Sequence, residues 1–206
     1  CNVTTSCFDP KELVKNYPRG RKEMLGPFSR FGPEQMVAWL KAEGVETHAE
    51  ADGRMFPKTN NSQTIIDCLR EAADRAGVVL EKGQLVKSIV KNGELFQIKT
   101  NKGEYTANKV MLATGSMPVG HELAINLGHK ITKLVPSLFT FNCNHPIIDG
   151  LAGVAQPNAE AVVIVGKKKH KQVGPVLITH WGFSGPAILK NSAFAAIDLF
   201  DTEYKG

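Results

Sequence analysis

Two glycine turns constrain this chain more than any other feature. Asn92-Gly93 and Asn101-Lys102-Gly103 divide residues 84–106 into the runs Leu85–Val90, Leu95–Thr100 and Glu104–Thr106. Asn-Gly supplies the positive φ angles of a two-residue hairpin turn, so the three runs are predicted to form a small antiparallel meander. The chain then enters Lys109–Ala113, whose consecutive apolar residues Val110 to Ala113 suit a strand buried on both faces. That strand is expected to end at Thr114-Gly115, where small residues permit close approach of another group. Taken alone, Ala113-Thr114-Gly115 is equally an ordinary strand-to-loop turn.

Helices flank the meander. Residues 33–43 open with Pro33, place Met36, Val37 and Leu40 on one face and stop at Gly44, which predicts a short helix. From Asn61 to Ala76, the spacing of Ile65, Leu69, Ala72 and Ala76 predicts a second helix with that stripe buried and Gly77 as its C-terminal cap. Val78-Val79-Leu80 is a short apolar run, and Leu123, Ala124 and Leu127 give an amphipathic turn or two over 120–127. Beyond Pro136 come the strand-like runs Leu138–Phe141, Ala161–Val165 and Val173–Thr179, then an apolar helix starting at Ser184-Gly185-Pro186 and running through Phe194 or beyond. Ser184 before Gly185-Pro186 reads as the N-cap of that helix. A domain boundary is placed near residue 130.

The 206 residues are 42% hydrophobic, enough for a core, and no run approaches the roughly 18 apolar residues of a membrane helix. The first residues lack the pattern of a signal peptide. The net charge of +5 is spread along the chain, and its one cluster, Lys167–Lys171, lies between apolar runs as a solvated hairpin tip would; a nucleic-acid partner is not expected. Cys1, Cys7, Cys68 and Cys143 form no metal-binding spacing and point to a reducing compartment. The start at Cys1 and the end at Gly206 are expected to be cuts within a longer polypeptide.

Along nearly its whole length the chain resembles the HI0933-like flavoproteins, also described as YhiN- or BaiN-type. The motifs that carry the resemblance are Cys1-Asn2-Val3-Thr4, Gly53-Arg54-Met55-Phe56-Pro57, Leu112-Ala113-Thr114-Gly115, Leu127-Gly128-His129, Pro136-Ser137-Leu138 and Thr179-His180-Trp181-Gly182-Phe183-Ser184-Gly185-Pro186. Residues 136–141 with Val173-Gly174-Pro175 and Tyr204-Lys205-Gly206 are most similar to the cyanobacterial and plant members. The resemblance implies an α/β fold: an incomplete Rossmann-like, glutathione-reductase-type FAD-binding domain over 1–130, carrying the meander but no N-terminal βαβ unit, and part of a β-rich second domain over 131–206. It implies a location in the cytoplasm, or in the plastid for a plant member, and not secretion.

The cofactor implied is FAD, with NAD(P)H as an allowed electron donor, in a flavoprotein oxidoreductase. Cys1 and Asn2 match the end of a glycine-rich segment beside the flavin, where Cys1 is redox-active or simply a small packed side chain. Val86 matches a position whose backbone meets the adenine end of FAD, or is plain strand core. Ala113, Thr114 and Gly115 match the closing turn of the cofactor site. Arg54, with Phe56 and Pro57, is implied near the flavin ring and the substrate entrance, where it stabilises an anion or forms an ordinary surface salt bridge. His180 and Ser184 are candidates for the substrate side, with Arg54 and His180 the candidate catalytic groups. The pyrophosphate-gripping Gly-x-Gly-x-x-Gly unit is not found in these residues. The expectation is therefore weak FAD retention and no activity by this piece alone, with self-association through uncovered surfaces; the rival expectation is a non-catalytic remnant serving as an interaction module.

Overall fold

A computed structural model describes residues 2–204. The chain divides into two compact units, 1–131 and 132–206. Helices and three sheets, antiparallel in every pair, make up the described structure. No helix among the described residues is long and apolar enough to cross a membrane.

The first unit runs β1 (Thr4–Thr5), α1 (Pro10–Leu13), a 3-10 turn (Val14–Asn16), α2 (Arg21–Arg30), α3 (Pro33–Ala42), β2 (Thr47–Ala49), β3 (Arg54–Pro57) and α4 (Ser62–Arg75). It continues with β4 (Val86–Asn92), β5 (Leu95–Thr100), β6 (Glu104–Ala107) and α5 (Pro118–Asn126). β1, β3 and β2 form one small sheet in that order, and β4-β5-β6 is the meander that the two glycine turns predict. The helix predicted over 33–43 is α3, whose Leu40 is fully buried against Val45, Ile65 and Cys68, with Val3, Met36 and Trp39 packed around them. Asn61 caps α4 by accepting a hydrogen bond from the Gln63 N–H at 2.9 Å, which satisfies one of the orphan donors of its first turn.

The structure corrects two expectations in this unit. The buried stripe of α4 is Ile65 and Cys68, while Leu69 is 47% exposed and Ala76 lies beyond the helix. Residues three apart share a helix face as readily as those four apart, and the neighbouring α3 selects the Cys68 side. Lys109–Ala113 belongs to no helix or strand, and Met111 is 86% exposed. A strand buried on both faces needs neighbours to take its N–H and C=O groups, and no described strand lies beside it. Val78, Val79 and Leu80 are likewise exposed and outside any strand.

The second unit contains β7 (Phe141–Asn142), a 3-10 turn (Pro146–Ile148), β8 (Ala155–Val165), β9 (Lys168–Thr179), β10 (Gly182–Ser184) and α6 (Pro186–Asp201). Its sheet order is β7-β10-β9-β8, with α6 packed on it through Ala187, Ile188, Ala195 and Leu199. The side chain of the buried Asn191 donates to the Ala161 carbonyl at 3.0 Å, tying helix to sheet. At the tip of the β8–β9 hairpin, Lys168 Nζ and His170 Nε2 approach the two carboxylate oxygens of Asp198 at 2.5 and 2.8 Å. The Lys168 hydrogen bond is the larger cause holding the Asp198 carboxyl below its ordinary range, and the same bond raises the Lys168 ammonium.

Two further expectations change here. Of Leu138–Phe141 only Phe141 is in a strand, because Leu138 takes a left-handed φ of 59° that interrupts an extended run. Ser184 lies in β10 opposite Leu177, and the N-cap of α6 is Gly185, with φ 99° and no side-chain cap. An added Cβ at Gly185 would come within 2.7 Å of the Pro175 carbonyl, so close backbone packing places glycine there rather than a capping hydroxyl.

Candidate functional site

A cleft of about 610 Å³ opens in the first unit between the meander, residues 109–114 and α5. Its floor is Ile89, Ile98 and Leu123; Ile89 and Leu123 are each 4% exposed. Val86, Ala113 and Thr114 lie on its wall, so three of the positions singled out from sequence come together from two separate segments.

A β-bulge brings Val86 there. The register of β4 on β5 shifts between Val86, opposite Thr100, and Ser88, opposite Lys99. Simple alternation would put Val86 and Ile89 on opposite faces, three residues apart. The extra residue resets the alternation, so both line the cleft. Asn101 fixes the start of β4: its Oδ1 accepts from the Leu85 N–H at 2.7 Å and its backbone N–H donates to the Leu85 carbonyl at 3.0 Å.

The opposite wall depends on two glycines. Gly115 has φ 61°, and the turn it allows closes with the Met117 N–H donating to the Thr114 carbonyl at 3.3 Å. Gly120, in the first turn of α5, lets Thr114 lie directly on the helix; an added Cβ would overlap Thr114 Oγ1 and come within 2.8 Å of its Cβ. A glycine inside a helical pattern signals such an approach, and this was the sequence sign of Gly120's role.

Among the described residues the cleft lining includes no carboxylate, imidazole or thiol, and Lys109 is its one charged side chain. The sheet-free backbone of 109–113 offers N–H and C=O groups beside an apolar floor, which suits a flat heteroaromatic ring. For a multiply charged diphosphate, the lining offers, among the described residues, the single cation Lys109. The residues therefore fit the adenosine end of FAD and not its pyrophosphate.

The other sequence candidates lie elsewhere. Asn2 lines a separate pocket of the first unit, and its Oδ1 accepts from the Met55 N–H at 3.2 Å, joining the chain start to β3. Arg54 is exposed, paired with Asp52 at 2.7 Å and stacked 5.3 Å above the Phe56 ring. The Arg54 N–H, and then its guanidinium, hold the Asp52 carboxyl below its usual range. Pro57 is buried at the end of the same strand. Cys1 lies outside the described residues. In the second unit, His180 sits on the exposed turn between β9 and β10 and lines a 340 Å³ pocket with Cys143, His145 and Asp149. His145 Nδ1 accepts from the Ile147 N–H at 3.2 Å, which puts the imidazole proton on Nε2. That grouping was not read from the sequence, since short intervals in sequence say little about which loops meet. No group of three or more metal-ligating side chains occurs among the described residues.

A family model described as the HI0933-like protein Rossmann domain matches residues 1–192. The chain is 25% identical over 205 residues to the ribosomal RNA dihydrouridine synthase of Escherichia coli (strain K12), covering 94% of this chain and 49% of that protein. It is 23% identical over 211 residues to the 3-dehydro-bile acid delta(4,6)-reductase of Clostridium scindens, covering 98% of this chain and 50% of that protein. A ribosomal RNA dihydrouridine synthase of Haemophilus influenzae is 24% identical over 210 residues, with 94% and 50% covered. The chain spans about half the length of the curated relatives it matches.

Proposed function

From the premise that the chain belongs to the HI0933-like family of FAD-dependent oxidoreductases, we propose that it supplies the adenosine-facing wall of an FAD site in a reductase. The observation that carries this is the cleft, which gathers Val86, Ala113 and Thr114 around an apolar floor and the backbone of 109–113, which joins no sheet. FAD, when bound, supplies hydride or electron transfer. The residues here hold and orient its adenine: Val86 and Ile89 form one face, and Ala113 and Thr114 the other.

The names of the relatives, a dihydrouridine synthase and a reductase, both describe a reduction, and the reaction proposed for the protein to which these residues belong is of that class. Arg54 and Phe56 are proposed on its flavin and substrate side, with NAD(P)H as the electron donor. Among the described residues, Lys109 is the one ionisable side chain of the lining, so the wall contributes chiefly binding.

Area bounds the strength of the contact. Burying roughly 150 Å² of an adenine ring at about 25 cal/mol/Å² gains at most about 4 kcal/mol, and the freedom lost on binding subtracts from it, so the Kd is expected at about 1 mM or weaker. Titrating FAD, ADP and riboflavin against the chain with ligand-observed NMR tests this. FAD and ADP should bind near that strength and compete, and riboflavin should not compete. Riboflavin displacing ADP, or ADP failing to bind, would overturn the proposal and favour the interaction-module reading.

A further inference from the structure

A second pocket of the first unit, about 420 Å³, lies among β1, the turn after α1, α2 and α3. Its walls are aromatic: the Tyr17 and Phe28 rings are 5.4 Å apart at 51°, and Phe31 and Met36 complete the enclosure, with Thr4 and Thr5 along one side. Tyr17 is 37% and Phe31 56% exposed, so large rings border an open space. Among the described residues, no Asp, Glu, Lys, Arg or His lines it.

The helix that forms one wall is under-packed. α2 buries none of its residues, and Met24, Leu25 and Phe28 are only half-covered. Its start is tied down by Arg21, whose Nε donates to the Tyr17 carbonyl at 2.8 Å. Helices in proteins are stabilised chiefly by packing of an apolar face, and a ligand in this pocket would supply packing that α2 otherwise lacks.

We infer that this pocket binds a neutral, planar ring of the substrate, stacked among Tyr17, Phe28 and Phe31 with its polar atoms towards β1. Flat rings gain dispersion and edge-to-face contact from such walls, and the volume falls in the range of small-molecule sites. An ionised ring is disfavoured, because it would lose water without meeting a counter-charge. The word substrate rests on the proposed reductase reading; the pocket's preference for a neutral ring does not.

The test uses the whole chain, with uridine as the neutral probe and orotidine, the same ring bearing a carboxylate, as the charged control. Backbone-amide NMR should show saturable uridine shifts in the millimolar range at Thr4, Thr5, Phe31 and Met36, with slowed hydrogen exchange in α2. Orotidine should bind at least about tenfold more weakly. Phe31→Ala, which removes an exposed ring without touching the core, should weaken uridine by about tenfold. Absence of shifts, shifts confined to other residues, or equal binding of orotidine would overturn the inference. Because uridine is read at Thr4, Thr5, Phe31 and Met36, and ADP by its own competition with FAD, failure here and failure of the FAD reading are separate results.

Discussion

Replacing Gly120 by alanine tests how the cleft wall is built. The new Cβ would overlap Thr114 Oγ1 and lie 2.8 Å from Thr114 Cβ and 3.2 Å from its Cγ2. Rotating the hydroxyl away relieves only the first contact. Ordinary carbon–carbon separation is about 3.5–4.0 Å, so Thr114 and its backbone must retreat by about 1 Å. Overpacking of this kind costs about 1–3 kcal/mol. Against it stands a gain of about 1 kcal/mol from alanine over glycine in a helix. The net expectation is a loss of about 1 kcal/mol, seen as a fall in Tm of a few degrees, with ADP binding weakened several-fold because Thr114 leaves the wall. Thr114→Gly in the same chain removes all three contacts, so the double variant should regain the helix benefit and give a coupling of about 2 kcal/mol, the overpacking cost itself, in a double-mutant cycle. A Gly120→Ala variant that melts higher and binds ADP unchanged would refute the close-approach argument.

The second unit gives a pH prediction. Because the folded pKa of Asp198 is depressed, the stability it contributes is present above the unfolded carboxylate value and is lost as pH falls from about 4 through the folded value. Asp198→Asn should flatten the acid limb of stability monitored by circular dichroism, and an unchanged limb would count against the clasp. Gly182→Ala should destabilise this unit by at least about 2 kcal/mol, since its Cβ would overlap the Phe141 carbonyl and lie 2.7 Å from the Cys143 nitrogen; near-native urea stability would contradict this. The exposed side chains Val79, at 81%, and Met111, at 86%, should drive self-association. Val79→Lys with Met111→Lys should then lower the apparent mass in light scattering, and a wild-type chain that is already a clean monomer would refute it.

The parts of the fold legible in sequence were those fixed locally. Gly93, with φ 61°, makes the first turn of the meander, the Thr100 hydroxyl holds the second by accepting from the Lys102 and Gly103 N–H groups, and Pro33 with Gly44 brackets α3 because each end has its own chemistry. What local pattern could not reveal depended on neighbours. Val110–Ala113 has the composition of a buried strand, yet burial needs flanking strands, and none is present among the described residues. Cys68 faces the core instead of Leu69 because α3 lies on that side of α4. At the site, Ala113, Thr114 and Gly115 were readable as small residues at a turn. Val86 was ambiguous, because the bulge that turns it towards Ile89 leaves no mark in the sequence. The small β1-β3-β2 sheet and α2 were not anticipated: strands of two to four residues and a helix containing Pro27 give little periodic signal.

The central claim is that the cleft is an adenosine-binding wall, and hydrogen–deuterium exchange of the full chain with and without millimolar ADP tests it most directly. Slowed exchange should appear in residues 84–89 and 109–117 and nowhere in the second unit. Protection mapping to the second unit, or no protection at saturating ADP, would contradict the account.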